Sequence, residues 1–308
     1  FLFILIFISL IIFFIFHKSD NQSSNSFYLL SKETSILINN WFMMYFLSVV
    51  LIGTVYPIFL DVISSQKISV GPPFYHKLII PFLVPFLIFM AIGPQLKWIK
   101  SRLEKKIHLV VLFIISLLIS FFIVKNLDIN LLVNTVLIGS AFYLFLITIR
   151  DFFLKKFKNI QQNIAHFGFS LLILSILFNN FFSRELITNL KVGESFKNDK
   201  FEIIFNDLKK SNEKNYISFK GNFSIRENGL EDKLEPELRV YNQPNIITSE
   251  ADIKTTLFTD KFITINTVQN EEYFNIRYQV KPFMFWIWTS VLLISLGGLI
   301  SLFKKKYD

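Results

Sequence analysis

The sequence predicts an α-helical polytopic membrane protein of about seven spans, with a β-rich outer domain between the last two. Three observations predict it. Hydrophobic residues make up 52% of the 308 and charged residues only 18%, against about 25% charged in soluble domains; the mean hydropathy is +0.48. Most apolar residues gather into stretches near the ~20 residues that cross a bilayer core as a helix. One region, 184–281, departs from that pattern and alternates apolar with polar side chains at the period of a strand.

The apolar stretches run Phe1–Phe16, Trp41–Leu60, Leu78–Leu96, Ile107–Val124, Ile129–Ile149, Ile164–Phe182 and Pro282–Phe303. The chain opens on Phe1 inside a run already under way, which reads as a piece whose amino-terminal part is missing. A secretory signal is excluded because Ile15, Phe16 and His17 offer no small-residue cleavage site. Segments 17–40, 97–106, 150–163 and 304–308 hold 14 basic and 5 acidic residues, and so the whole net charge of +9. They connect alternate spans, and the excess of Lys and Arg places them in the cytoplasm. The basic pI of 9.5 is therefore topology and no sign of a nucleic-acid partner. The expected topology puts 184–281 on the outer side of the membrane and the carboxy terminus in the cytoplasm. The domain plan is a membrane domain over 1–183, an outer β-rich domain over 184–281, and a last span with a basic tail over 282–308.

In 184–281, Ile217, Phe219, Phe223 and Ile225 alternate with polar residues, with Gly221 at the middle apolar position; Phe274, Ile276, Tyr278 and Val280 repeat the pattern. Both predict half-buried strands. Phe201–Phe205 and Phe262–Ile265 are further strand segments, and Asn228-Gly229 is a turn signal. A small β-barrel or sandwich is expected.

Cysteine is absent, which removes disulfides, thiolate metal sites and CxxC redox chemistry. No HExxH, GxSxG, Walker or GxGxxG pattern occurs, and the acidic residues avoid the predicted spans, against a carboxylate relay. Of the four histidines, His17 and His108 sit beside Lys at span ends and read as interfacial. His166 opens a span as Ala165-His166-Phe167-Gly168. Its neutral imidazole suits iron ligation, with Gly168 leaving room for a flat cofactor; an interfacial histidine at a helix end explains the same residues. Ile68-Ser69-Val70-Gly71-Pro72-Pro73-Phe74-Tyr75-His76 forms a rigid outer turn that sets the course of the next helix or makes a ligand contact through His76. Arg239 and Tyr241 share a strand face, as a partner or propionate contact or as a plain Arg–Glu pair. Trp286 and Trp288 fit an aromatic belt.

Taken in order, Ser31-Lys32-Glu33, Asn39-Asn40, Gly53-Thr54-Val55-Tyr56-Pro57, Ile68 to Phe74, Ile92-Gly93-Pro94 with Trp98, and Ala165 to Gly168 resemble the carboxy-terminal half of CcmF. Pro236, Arg239, Tyr241, Pro282, Trp286-Ile287-Trp288 and Gly297-Gly298 continue the likeness. CcmF is the membrane haem lyase of system I cytochrome c maturation. The resemblance implies an enzyme that forms thioether bonds between haem vinyls and CxxCH thiols of apocytochrome c. It implies substrate haem delivered by holo-CcmE, partner subunits CcmH and CcmI, and a transmembrane haem b that keeps the incoming iron reduced. It also implies a bacterial inner membrane, with 184–281 as a periplasmic domain, or a mitochondrial one. His166 matches one iron ligand of that haem b. The tryptophan-rich WWD segment that handles substrate haem, the outer histidines and the other transmembrane ligand would precede Phe1, so no catalytic residue is assigned here. His76 stands near a position where the family commonly has Asn. Other readings are a paralogous lyase for a nitrite-reductase cytochrome, a non-catalytic assembly scaffold, and a transporter with discontinuous spans, for which Pro81 and Pro85 are the one hint.

Overall fold

A computed structural model describes residues 2–16, 28, 31–64, 68–98, 107–127, 130–154, 160–198, 200–227, 229–268 and 272–303. His17, Asn228 and Lys304–Lys306 lie outside them. The helices are α1 (Leu2–Phe16), α2 (Lys32–Ser64), α3 (Pro72–Ile92), α4 (Ile107–Lys125), α5 (Leu131–Leu154), α6 (Ile160–Phe182) and α7 (Met284–Phe303). Six of them, α2 to α7, are long and apolar enough to cross a membrane. With 15 residues, α1 falls short of the ~20 that a bilayer core requires.

The helices expose their large apolar side chains, as Ile58 at 64% and Leu292 at 65% show. Ser116, Ser120, Ser140, Ser170 and Ser290 are wholly buried. That inversion suits lipid, where small residues let helices approach and hydroxyls must find a carbonyl. Ser116 and Ser140 donate to carbonyls one turn back on their own helices, while Ser120 Oγ donates to Thr135 O of α5 at 2.7 Å and ties α4 to it. Phe42, Phe86, Leu87, Tyr143, Leu144 and Leu174 lie in the core between α2, α3, α5 and α6.

Local chemistry starts the helices where the sequence suggests. The Ser31 hydroxyl accepts the Thr34 N–H at 3.1 Å and caps α2. Pro72 opens α3, where its missing N–H costs nothing. The Gly-Pro-Pro motif is therefore the first turn of α3, and the helix runs unbroken through Pro81 and Pro85. The discontinuous span that a transporter would need is not made there.

Among the described residues ten strands follow α6: β1 (Arg184–Leu190), β2 (Ser195–Lys197), β3 (Phe201–Asn212), β4 (Tyr216–Glu227), β5 (Leu230–Leu234), β6 (Glu237–Tyr241), β7 (Ile247–Glu250), β8 (Asp252–Thr255), β9 (Thr259–Thr267) and β10 (Phe274–Pro282). They form two antiparallel sheets. One has the order β1-β10-β9-β8; in the other, β2-β3-β4-β6-β7, β4 also pairs with β5. All four predicted strand segments lie in strands, as β4, β10, β3 and β9. Gly229 turns β4 into β5 with φ of +78°. The inward residues Ile203, Phe205, Phe223, Ile225, Ile263, Ile265 and Ile276 make the core. Phe205 stacks on Phe223 across the β3–β4 pair with centroids 4.4 Å apart.

Gly221 occupies an inward position without a side chain because that stack fills it. A Cβ there would stand 2.8 Å from Phe223 Cε2, with Ile265 and Phe205 at 3.4 Å. Gly221→Ala is expected to destabilise the sandwich by about 1–3 kcal/mol, the ordinary range for overpacking, read as a lower thermal midpoint in near-UV circular dichroism.

An ion network bridges the sheets at the membrane end. Lys261 of β9 reaches Glu227 at 2.6 Å and Asp232 at 3.1 Å, and Lys254 reaches Asp232 at 2.6 Å. Hydrogen bonds from Lys254 and then Lys261 hold the Asp232 carboxyl below its usual pKa. Asp232 therefore stabilises the fold fully above the ordinary carboxyl value of about 4, and the contribution is lost as pH falls through the lowered one. Asp232→Asn should flatten the acid limb of the stability–pH curve.

The joint between sandwich and bundle is fixed at several points. Asn179 Nδ2 donates to Pro282 O at 2.6 Å, and the Phe178 and Phe283 rings lie 5.3 Å apart. Phe283 takes φ of 61°, a conformation uncommon for a bulky residue, where β10 turns into α7.

Candidate functional site

His166 lies about two turns into α6, and its Cα is 16 residues, or about 24 Å along the helix, from the sandwich end at Phe182. It lines a cleft of about 230 Å³ with Lys32, Ser35 and Asn39 of α2, Met90 of α3, the Gly93-Pro94 turn and Gln162. A narrower crevice shares His166 and continues to Thr148 and Asp151 of α5 and Asn163 of α6. Four helices thus meet at one imidazole.

The sequence motifs build this corner. A Cβ at Gly93 would collide with Ser35 Oγ, so glycine lets α2 press against the 3₁₀ turn Gly93–Gln95 that ends α3. The Lys32 N–H donates to Lys97 O at 2.9 Å, and the Lys32 ammonium sits 4.9 Å over the Trp98 ring. Ser31-Lys32-Glu33 and Ile92-Gly93-Pro94 with Trp98, distant in sequence, are neighbours here.

Asp151 is the residue that sequence reasoning missed. It is 5% exposed and accepts a hydrogen bond from Gln95 Nε2, with the Arg150 guanidinium 3.5 Å away. The expectation that acidic residues avoid the spans fails for it, because α5 continues to Leu154, beyond the predicted end at Ile149. Asp61 likewise falls within α2, exposed near its end. The signal was an acid next to Arg150 at the end of a long apolar run, where helix boundaries are least certain.

The role expected of Gly168 is also corrected. Gly168 is buried, and a Cβ there would lie 3.0 Å from Ile294 N, Ile294 Cγ1 and Leu293 Cβ. The space belongs to α7, not to a flat cofactor: residues two apart on a helix face away from each other. Gly297 makes the reciprocal contact, with its Cβ position 2.8 Å from Ala165 N and Gln161 O.

The other residues singled out lie apart. His76 is exposed in the first turn of α3, and His108 is half-buried on α4. Arg239 donates to Glu237 Oε2 at 2.8 Å and lies 5.2 Å over the Tyr216 ring, and Tyr241 packs on Tyr216. The Arg–Glu pair is formed. Trp288, 65% exposed in the first turns of α7, suits a belt position.

Among the described residues no group of three or more His, Asp or Glu could hold a bare metal ion. Iron in a macrocycle brings four ligands of its own and needs only axial donors. In the cleft His166 supplies one imidazole of the kind that could act as such a donor. Its volume of about 230 Å³ is below the ~300–1,000 Å³ of ligand pockets, so the described residues alone do not enclose a whole macrocycle.

Residues 181–282 match a family model described as the CcmF C-terminal beta-sandwich. The chain is 30% identical over 303 residues to cytochrome c-type biogenesis protein CcmF of Pseudomonas fluorescens, covering 93% of this chain and 46% of that protein. It is 28% identical over 295 residues to CcmF of Haemophilus influenzae, covering 90% and 45%. The chain spans about half the length of the curated relatives it matches. A solved structure of cytochrome c haem lyase CcmF superposes with a TM-score of 0.69 at 20% identity, over 90% of this chain and 46% of that one.

Proposed function

We propose that this chain, which is of the CcmF type along its helices and its sandwich, forms part of a membrane haem lyase of cytochrome c maturation. The lyase adds each apocytochrome thiol across a haem vinyl group: S–C and C–H bonds form as S–H and the C=C π bond break, with no net redox change. When bound, haem b supplies one-electron exchange that keeps the incoming iron reduced. His166 would hold that haem through an imidazole nitrogen, and the observation that supports this reading is its place in the cleft between α2, α3 and α6.

The chain's own residues then have definite tasks. His166 would present a ring nitrogen to the haem iron. Gly168 and Gly297 lock the helix that carries it against α7. Gln95 and Asp151 keep the neighbouring end of α5 joined to α3, and Lys32 is the cation of the cleft. The strands 184–281 face the periplasm of a bacterial inner membrane, between the membrane domain 1–183 and the last span 282–308. There they meet CcmH, CcmI, holo-CcmE and apocytochrome c.

Reduced-minus-oxidised optical spectra of the purified membrane protein, wild type beside His166→Ala, test the reading. A b-type signal lost in the variant is expected. A signal unchanged in His166→Ala moves the ligand elsewhere, and no haem in the wild type favours an assembly scaffold.

A further inference from the structure

The turn between β8 and β9 is made of residues that tight hairpin turns avoid. Thr256 N–H donates to Thr259 O at 2.9 Å, and Thr259 N–H donates to the Thr256 hydroxyl at 3.0 Å. Between them stand Leu257 and Phe258, 58% and 61% exposed. Gly, Asn and Asp dominate such positions because they accept φ > 0 or bond their own backbone. Neither residue here has a positive φ; among the described residues Phe283 is the one non-glycine that does. The backbone is therefore content with ordinary side chains, yet the two present are large, apolar and uncovered by the sandwich.

Their height above the bundle is set by a hydrogen bond. Phe258 O accepts the Phe283 N–H at 2.7 Å, and Phe283 directly precedes Met284, where α7 begins. Thr259 pairs with Pro282. The tip is thus level with the mouth of a membrane-spanning helix, about one turn from Trp286 and Trp288.

We propose that the β8–β9 turn docks on the lipid bilayer, placing Leu257 and Phe258 in the interfacial zone of the leaflet beneath the sandwich. The domain's two covalent tethers leave from β1 into α6 and from β10 into α7. These strands are adjacent and so only about 4.8 Å apart, so the two tethers enter the sandwich side by side. The turn lies beyond β10 on the same sheet and is a third foothold. Charge plays little part: Lys254 and Lys261 nearby are both paired with Asp232, so the contact is apolar and insensitive to salt.

The chain has no cysteine, so Phe258→Cys gives a single attachment point for a nitroxide. In phospholipid nanodiscs, collision of the label with oxygen is compared with collision with a water-soluble nickel chelate. Leu292→Cys on the lipid face of α7, 65% exposed, and Ile246→Cys at the far end of the sandwich, 50% exposed, are the references. The oxygen-to-nickel ratio at 258 is expected several-fold above that at 246, nearer the lipid reference, and unchanged in high salt. Leu257→Cys should repeat it; both residues are exposed in a turn, so neither substitution threatens the fold. A ratio at both positions equal to that at 246 overturns the proposal.

Discussion

His166→Ala is expected to abolish the b-type haem spectrum and leave the protein inserted and folded. His166 is half-buried on the wall of a cleft, so losing the ring enlarges an opening that already exists and does not hollow out the packed core. The stability cost should be that of an ordinary point change, about 1 kcal/mol. Loss of an axial ligand is, by contrast, all or none for that coordination bond. His166→Gly with free imidazole added separates the two roles: restored absorbance assigns His166 as a ligand, because a free imidazole replaces a donor atom and not a helix contact. The yield of covalently attached haem in a substrate cytochrome should follow the spectrum. A full b-type signal in a folded, inserted alanine variant sinks the assignment.

What could be read from the sequence divides along physical lines. The spans and strands were legible because burial imposes a period. Runs of about 20 apolar residues and the alternation Phe274-Ile276-Tyr278-Val280 are direct prints of lipid and of a pleated sheet. The bulge at Asn206, where β3 slips register against β4, leaves no such print, since it depends on how two strands meet. Gly221 was visible as a gap in the alternation, but only the Phe205–Phe223 stack says why the gap is there. At the site, His166 was legible as an imidazole in an apolar helix. Its neighbours were not, because Lys32, Gly93 and Asp151 come from three other segments. The meaning of Gly168 was misread for a related reason: a glycine on a helix marks close approach, and which neighbour approaches is decided by tertiary packing. Here the neighbour is α7.

That packing gives the second large effect. Gly297 and Gly298 are adjacent on α7, yet only one is constrained. A Cβ at Gly297 would lie 2.8 Å from the backbone atoms Ala165 N and Gln161 O, whereas nothing lies within 4 Å of one at Gly298. Backbone cannot rotate away as a side chain can, so Gly297→Leu must push α6 and α7 apart. The loss is expected at or above the usual 1–3 kcal/mol of overpacking, while Gly298→Leu, whose side chain meets open space on a lipid-facing helix, should be close to neutral. Thermal stability in detergent checks the pair. The same displacement acts on Ala165, next to His166, so Gly297→Leu should also weaken the haem signal, and added imidazole should not restore it. If the two leucine variants behave alike, the glycine contact is not what holds α6, and the position of His166 must be fixed by α3 and α5 on its other side.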